Sequence, residues 1–281
     1  MLTSTKELLE VAQKHSYAIG AFNMYNLEGV KAVVNAAEAE NSPAILQILP
    51  HILDYGGSSL IAMFLEAANS AKVPMAVHLD HCDNDSMIKT VLEAGVQSVL
   101  ADGSTLPFQE NLAFTRDMTD IAHAKGATVE AEIGRISGTE DGMTVSEKEA
   151  KMTDPQQAKE FVAESGVDFL AVTIGNVHGK YHGEPKLEFD RLAKIRQQLE
   201  IPLVLHGASG LPANMIHQSI ELGVCKFNVN SEVRKQYLQF WQEYGQTEAK
   251  MDLLDCQKAV TAEMEKVIAE KIRLFGSAGK A

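Results

Sequence analysis

The sequence predicts an α/β fold in which eight parallel strands close into a (β/α)8 barrel, and three observations carry the prediction. Short runs rich in Val, Ile, Leu and Ala alternate with longer amphipathic stretches along the chain. The 281 residues suit one such barrel. Polar residues interrupt the apolar runs mainly at their C-terminal ends, the rim on which barrels of this architecture carry their sites.

Taken in order, the strand candidates are 17–23, 44–49, 74–80, 98–102, 128–133, 168–173, 202–206 and 225–230. Segments 27–40, 59–71, 86–93, 111–125, 155–164, 189–199 and 214–222 separate them, each with apolar residues near a spacing of three or four. Ala94-Gly95, Lys125-Gly126, Ser165-Gly166 and Leu222-Gly223 each end a helix just before a strand, where glycine accepts the left-handed conformation. An open doubly wound sheet is the competing architecture. It is weakened because no Gly-x-Gly-x-x-Gly follows the first run. No shift in composition marks a linker. The chain therefore reads as one TIM-barrel domain, 1–281, with a helical C-terminal extension over about 236–275 and a tail from Gly276.

Composition excludes several function classes. A net charge of −13 argues against general nucleic-acid binding, which needs a basic surface. It leaves room for a small anion held by backbone N–H groups. Three scattered cysteines are too few for a disulfide framework or a thiolate metal site and read as packing thiols. The first residues lack a signal-peptide pattern, and no apolar run reaches the roughly 18 residues of a membrane helix. A soluble, cytoplasmic protein that engages no membrane is expected.

The strand ends supply the chemistry. His78, Asp80 and His81 end the third run, Asp102 the fourth, and Glu130 and Glu132 the fifth; Asn176 and His178 follow the sixth, His206 ends the seventh, and Asn228 and Asn230 the eighth. A lone histidine at such a place is more often structural, but three imidazoles with several carboxylates on one rim reverse that balance. His81, His178 and His206 come from three strands, and three neutral imidazoles with an open position describe a catalytic zinc site. Such a metal polarises a carbonyl and stabilises an enolate. Asp80, beside His81, is placed to exchange protons with substrate. His78 shares the parity of Asp80 and reads as a hydrogen-bonding support. The turn Gly207-Ala208-Ser209-Gly210 and the segment Asn228-Val229-Asn230-Ser231 follow the seventh and eighth strands, where barrels often bind phosphate. A long loop from Glu132 to about Thr153 carries Glu140 and Asp141, which are either solvated turn residues or acids brought over the site when the loop closes.

These motifs resemble the class II fructose-bisphosphate and tagatose-bisphosphate aldolases. The resemblance runs from Gly20-Ala-Phe-Asn23 to Phe275-Gly-Ser-Ala-Gly-Lys280 and is strongest in His78-Leu-Asp-His81, Asp102-Gly-Ser-Thr-Leu-Pro-Phe108, Val129-Glu-Ala-Glu-Ile-Gly134, His178-Gly-Lys-Tyr181, Leu203-Val-Leu-His-Gly-Ala-Ser-Gly210 and Lys226-Phe-Asn-Val-Asn-Ser-Glu232. It implies a zinc-dependent, reversible cleavage of a ketose 1-phosphate, of the ketohexose 1,6-bisphosphate type, to dihydroxyacetone phosphate and an aldehyde. By the same resemblance His81, His178 and His206 hold Zn2+, and Asp102 and Glu132 offer an alternate, buried metal position. Asp80 moves the proton of the aldehyde-half hydroxyl, and Glu140 the C3 proton. Gly179, Gly207, Ala208, Ser209 and Asn228, Val229, Asn230 and Ser231 bind the dihydroxyacetone-phosphate half, and Asn23 contacts substrate. A monovalent cation, Na+ or K+, near the phosphate and a homodimer or homotetramer are also implied.

The departures from the family pattern spare that half and fall on the region expected to face the aldehyde: Arg135 in Gly134-Arg-Ile-Ser-Gly138, Asn176 before His178, and Leu49 in Gln47-Ile-Leu49. Arg135 is either a solvent-facing loop charge or the contact for a distal anion. That anion is a phosphate, or the sulfonate of 6-deoxy-6-sulfofructose 1-phosphate, whose cleavage gives sulfolactaldehyde. Three other functions compete. A Schiff-base aldolase needs a free buried lysine, for which Lys226 is the candidate. A non-catalytic subunit partnering an aldolase would have lost a zinc ligand or Asp80, and none is lost. A zinc hydrolase on the same barrel leaves the phosphate loop and the lid acid unexplained.

Overall fold

The computed structural model describes residues 1–140, 143–145, 151–179, 181, 183–247 and 252–281, with 137–140 and 143–145 as backbone only. Eight parallel strands close the barrel: β1 (Ile19–Asn23), β2 (Ala44–Ile48), β3 (Met75–Cys82), β4 (Ser98–Ala101), β5 (Thr128–Ile133), β8 (Phe169–Val172), β10 (Leu203–Leu205) and β11 (Val224–Val229), in the spatial order β1-β11-β10-β8-β5-β4-β3-β2. All eight predicted strands are present. Two further strands, β6 (Ser137–Glu140) and β7 (Met143–Val145), form an antiparallel hairpin where the sequence suggested a long loop, and β6 pairs in parallel with the two-residue β9 (Val177–His178).

Inward residues change character along the strands. Ile19 and Ala21 precede Asn23, Ile45 precedes Gln47, Ala76 precedes His78 and Asp80, and Val204 precedes His206. The apolar members pack with Leu8, Leu9 and Ala12 of α1 (Thr5–Lys14), a helix that the sequence reading passed over. This helix plugs the N-terminal end of the barrel, so the polar upper layer rests on a dry floor.

Outside the barrel lie α2 (Leu27–Ala39), α3 (Pro50–Ser70), α4 (Asp85–Glu93), α5 (Phe108–His123), α6 (Pro155–Ser165), α7 (Phe189–Gln198), α8 (Ala213–Glu221), α9 (Ser231–Tyr244) and α10 (Leu253–Leu274). Local chemistry fixes their starts: Asn26, Asn84, Asp154 and Asp252 accept N–H bonds of the first turn as N-caps. Helix α3 begins at Pro50, well before the predicted 59, because Gly57 breaks the periodicity with a φ of 58°. Helix α10 packs on α2, burying Val260, Met264, Ile268 and Ile272, and Phe275 stacks on Phe227 at 4.8 Å between centroids. Its buried residues join the core that surrounds the barrel. No helix among the described residues is long and apolar enough to cross a membrane.

Candidate active site

Three histidines that are far apart in sequence meet at the C-terminal rim. The ring centroids of His81, His178 and His206 lie 4.7 to 5.9 Å apart, and one ligand atom from each falls within 4.8 Å of the others. His81, Asp102 and Glu132 form a second group that meets the same limit. His81 belongs to both, so the two groups adjoin.

The backbone at His81 is unusual, and the site depends on it. Neighbours on a strand normally point to opposite faces, yet Asp80 and His81 both face the site. His81 adopts a φ of 46°, and the β3–β4 register shifts between Leu79 and Cys82. A left-handed non-glycine residue stores strain on the order of 1–3 kcal/mol. Here the bulge turns two consecutive polar side chains to the same side.

Hydrogen bonds fix which ring nitrogens face one another. His81 Nδ1 lies 2.6 Å from Asp102 Oδ2, and His206 Nε2 lies 2.8 Å from Glu130 Oε1. His81 Nε2, His206 Nδ1 and Glu132 Oε2 are buried with no hydrogen-bond partner among the described residues, and His206 Nδ1 is 3.4 Å from Glu132 Oε2. Buried polar atoms left unsatisfied are costly, and a cation among them removes the cost. The donor set of imidazoles backed by carboxylates is that of a zinc or similar ion. The residues present therefore fit a metal.

The electrostatics agree. Asp80, Asp102, Glu130 and Glu132 surround the histidines. Burial opposes protonation of His81 and His206, but neighbouring carboxylates win: Asp80 and Asp102 raise His81 well above its ordinary range, and Glu130 and Glu132 push His206 up to about 9. Burial raises the Glu132 carboxyl. It also lowers His178, reinforced by the charges of His81 and His206, and takes His78 down to about 3 with help from Lys226. The carboxylates thus favour positive charge at His81 and His206.

Asp80 is only 2% exposed, and two amides hold its carboxylate: Asn23 Nδ2 donates to Oδ2 at 2.8 Å and Asn228 Nδ2 to Oδ1 at 3.1 Å. Burial alone would raise its pKa, but His81 and Lys226 outweigh it and bring the group down to about 2. Asp80 is thus an ionised carboxylate, the form that accepts a proton.

The remaining predicted residues divide. Gly207, Ala208 and Ser209 form the turn after β10; a Cβ at Gly207, whose φ is 65°, would collide with the carbonyl of Val177. Gly179 follows β9 with a φ of 81°. Asn228 faces the interior, whereas Val229 faces the outer core, so Val229 offers the site only its backbone. Asn230 accepts a hydrogen bond from Tyr25 Oη at 2.8 Å, and Ser231 opens α9. Asn176 is structural: its Nδ2 donates to the carbonyl of His206 and its Oδ1 accepts from Ile174 N–H. Leu49 is buried and holds the position before α3, with no side-chain capping bond. The backbone of Glu140 lies in β6; its side chain and all of Asp141 are outside the described residues. Arg135 pairs through its backbone with Lys151 and lines a cleft of about 290 Å3 with Ser104, Thr105 and Lys151, which none of the three histidines lines.

The sequence offered Lys226 only as a Schiff-base candidate and gave Gln47 no role of its own. Lys226 Nζ, fully buried, bonds Glu130 Oε2 at 2.7 Å and Asn228 Oδ1 at 2.8 Å. The pairs Glu130/Glu132 and Lys226/Asn228 share strand parity, the signal that could have joined them. Gln47 is fully buried beside Asn23 and His78 in register, and neither of its amide atoms has a partner among the described residues.

Comparison with known proteins assigns the family. The description for class-II fructose-bisphosphate aldolases matches residues 3–280. A solved structure from Coccidioides immitis, assigned as a fructose-1,6-bisphosphate aldolase, is 35% identical with a TM-score of 0.92, covering 98% of this chain and 97% of that one. The YdjI aldolase of Escherichia coli K12 is 34% identical with a TM-score of 0.90 and full coverage of both chains, 100% each. A fructose-bisphosphate aldolase from Campylobacter jejuni shares the fold at 21% identity and a TM-score of 0.83, over 100% of this chain and 97% of that one. The chain belongs to the class II fructose-bisphosphate aldolase family and is an aldolase.

Proposed function

We propose that the protein is a zinc-dependent aldolase that reversibly cleaves a ketose 1-phosphate bearing a terminal anion, releasing dihydroxyacetone phosphate and an aldehyde. The observation that carries this reading is the convergence of His81, His178 and His206 beside the ionised Asp80. His81, His178 and His206 would hold Zn2+, with Asp102 and Glu132 as an alternate position. When bound, the ion supplies Lewis-acid polarisation of the substrate carbonyl.

The protein groups then have distinct roles. Asp80, fixed by Asn23 and Asn228, takes the proton of the C4 hydroxyl as the C3–C4 bond breaks and returns it in synthesis. Glu140, on the β6–β7 hairpin, moves the proton at C3. Gly179, the Gly207–Ser209 turn and the Asn228–Ser231 segment receive the dihydroxyacetone-phosphate half, with a sodium or potassium ion near the phosphate. Arg135 meets the terminal anion, phosphate or sulfonate: its Nε is buried without a hydrogen-bond partner among the described residues, and Lys151 adds a second cation to the same cleft. A cytoplasmic homodimer or homotetramer is the assembly proposed.

The Schiff-base reading is disfavoured by one observation. Lys226 is the candidate amine, and it is ion-paired with Glu130 rather than free to attack a carbonyl. A screen of ketose 1-phosphates with varied C6 groups, reading out dihydroxyacetone phosphate, tests the proposal. Activity abolished by a chelator and restored by zinc supports it. Turnover that is indifferent to chelation, or cleavage only of substrates lacking the 1-phosphate, overturns it.

A further inference from the structure

The polar layer beneath the histidines is organised around one buried ammonium. Lys226 donates to Glu130 Oε2 at 2.7 Å and to Asn228 Oδ1 at 2.8 Å. Glu130 Oε1 meets His206 Nε2 at 2.8 Å, and Asn228 Nδ2 donates to Asp80 Oδ1 at 3.1 Å. Lys226 and Glu130 are both fully buried and ion-paired with each other.

We propose that Lys226 is a positioning residue that orients both the metal ligand His206 and the proton-transfer carboxylate Asp80. The inference rests on the zinc reading above and goes beyond it to residues that neither ligate nor touch substrate. Donor and acceptor capacity sets the orientation of each group. An ammonium only donates. Asn228 must therefore turn its oxygen to Lys226, which leaves its NH2 for Asp80. A flipped amide would set oxygen against carboxylate. Glu130, held by the same ammonium, only accepts, so His206 keeps its proton on Nε2 and turns Nδ1 to the metal position. His81 is held the opposite way, through Nδ1 to Asp102, with Nε2 turned inward. The two imidazoles thus present different nitrogens to one point, each fixed by its own carboxylate.

Two double variants separate the arms. In Glu130→Met/Lys226→Met the buried charges leave together, which avoids stranding either one, and His206 loses its acceptor. In Glu130→Gln/Lys226→Met the amide oxygen still accepts from His206 Nε2. Zinc affinity, read by competition with a chromophoric chelator, is expected to fall by about 10–100-fold in the first and to recover to near the wild-type value in the second. The second should nonetheless cleave slowly, with kcat reduced and KM little changed, because Asn228 has lost its anchor. Equal zinc affinity in the two variants, or a Gln/Met variant with wild-type kcat, overturns the proposal. Should the Met/Met protein not fold, long-range 1H–15N correlation on zinc-loaded wild type decides the matter. A proton on His206 Nε2 and on His81 Nδ1 is expected, and the reverse on His206 refutes it. Wild type that binds no zinc would instead sink the zinc reading itself.

Discussion

Gly138 of the β6–β7 hairpin is register partner to His178 in a parallel ladder, with Ser137 opposite Val177. The segment that carries Glu140 is therefore tied by backbone hydrogen bonds to one of the three clustered histidines, two residues from the acid.

This anchoring leads to a prediction for Glu140. Glu140→Gln should slow exchange of the C3 proton of dihydroxyacetone phosphate with deuterated water by about 10²–10⁴-fold, the usual contribution of a general base. Zinc content should stay unchanged. NMR of the methylene signal in the absence of aldehyde measures it, and unchanged exchange assigns the proton to another group.

For the metal, His206→Ala should give a folded protein with little bound zinc and little cleavage activity. His206 belongs to the three-histidine group, and the set left without it, His81, Asp102 and Glu132, offers a single imidazole and is expected to hold zinc more weakly. Elemental analysis decides the point: one zinc per chain in the variant refutes the ligand assignment.

Asp80→Ala should retain zinc and lose carbon–carbon cleavage by about 10²–10⁴-fold. The carboxylate touches Asn23 and Asn228 but belongs to neither metal-ligating group. Asn23→Ala removes one of the two amides and should weaken cleavage less than Asp80→Ala does. Steady-state kinetics with metal content measured alongside distinguish the two, and an Asp80 variant within threefold of wild type contradicts the role.

Arg135 reports on the far end of the substrate. Losing a hydrogen bond to a charged group costs about 1.5–3 kcal/mol, roughly 10- to 150-fold in kcat/KM. Arg135→Ala should lower kcat/KM for the full ketose substrate in that range and leave the affinity for dihydroxyacetone phosphate nearly unchanged. If both fall together, the side chain acts through loop structure and not through recognition of the far end. If neither falls, the terminal anion is held elsewhere.

By itself the sequence determined the eight barrel strands, the rim they share, the three histidines and Asp80. Burial on both faces demands continuous apolar runs, and polar residues at the ends of such runs stand out against them. It did not determine how those residues engage one another. Period-two alternation sends Asp80 and His81 to opposite faces, and only the bulge and the left-handed φ at His81 bring them to the same side. Parity turns Glu130, Lys226 and Asn228 inward but does not say which meets which: Glu130 and Lys226, and Asn228 and Asp80, lie 96 and 148 residues apart and pair only when the barrel closes. The β6–β7 hairpin was hidden for a related reason: its strands are only four and three residues long, too short to show a period, and the pairing of β6 with His178 exists only once the rim has formed. Residue chemistry at strand ends is a local property that the chain states outright, while tautomer, amide orientation and ligand choice are set by contacts between distant strands.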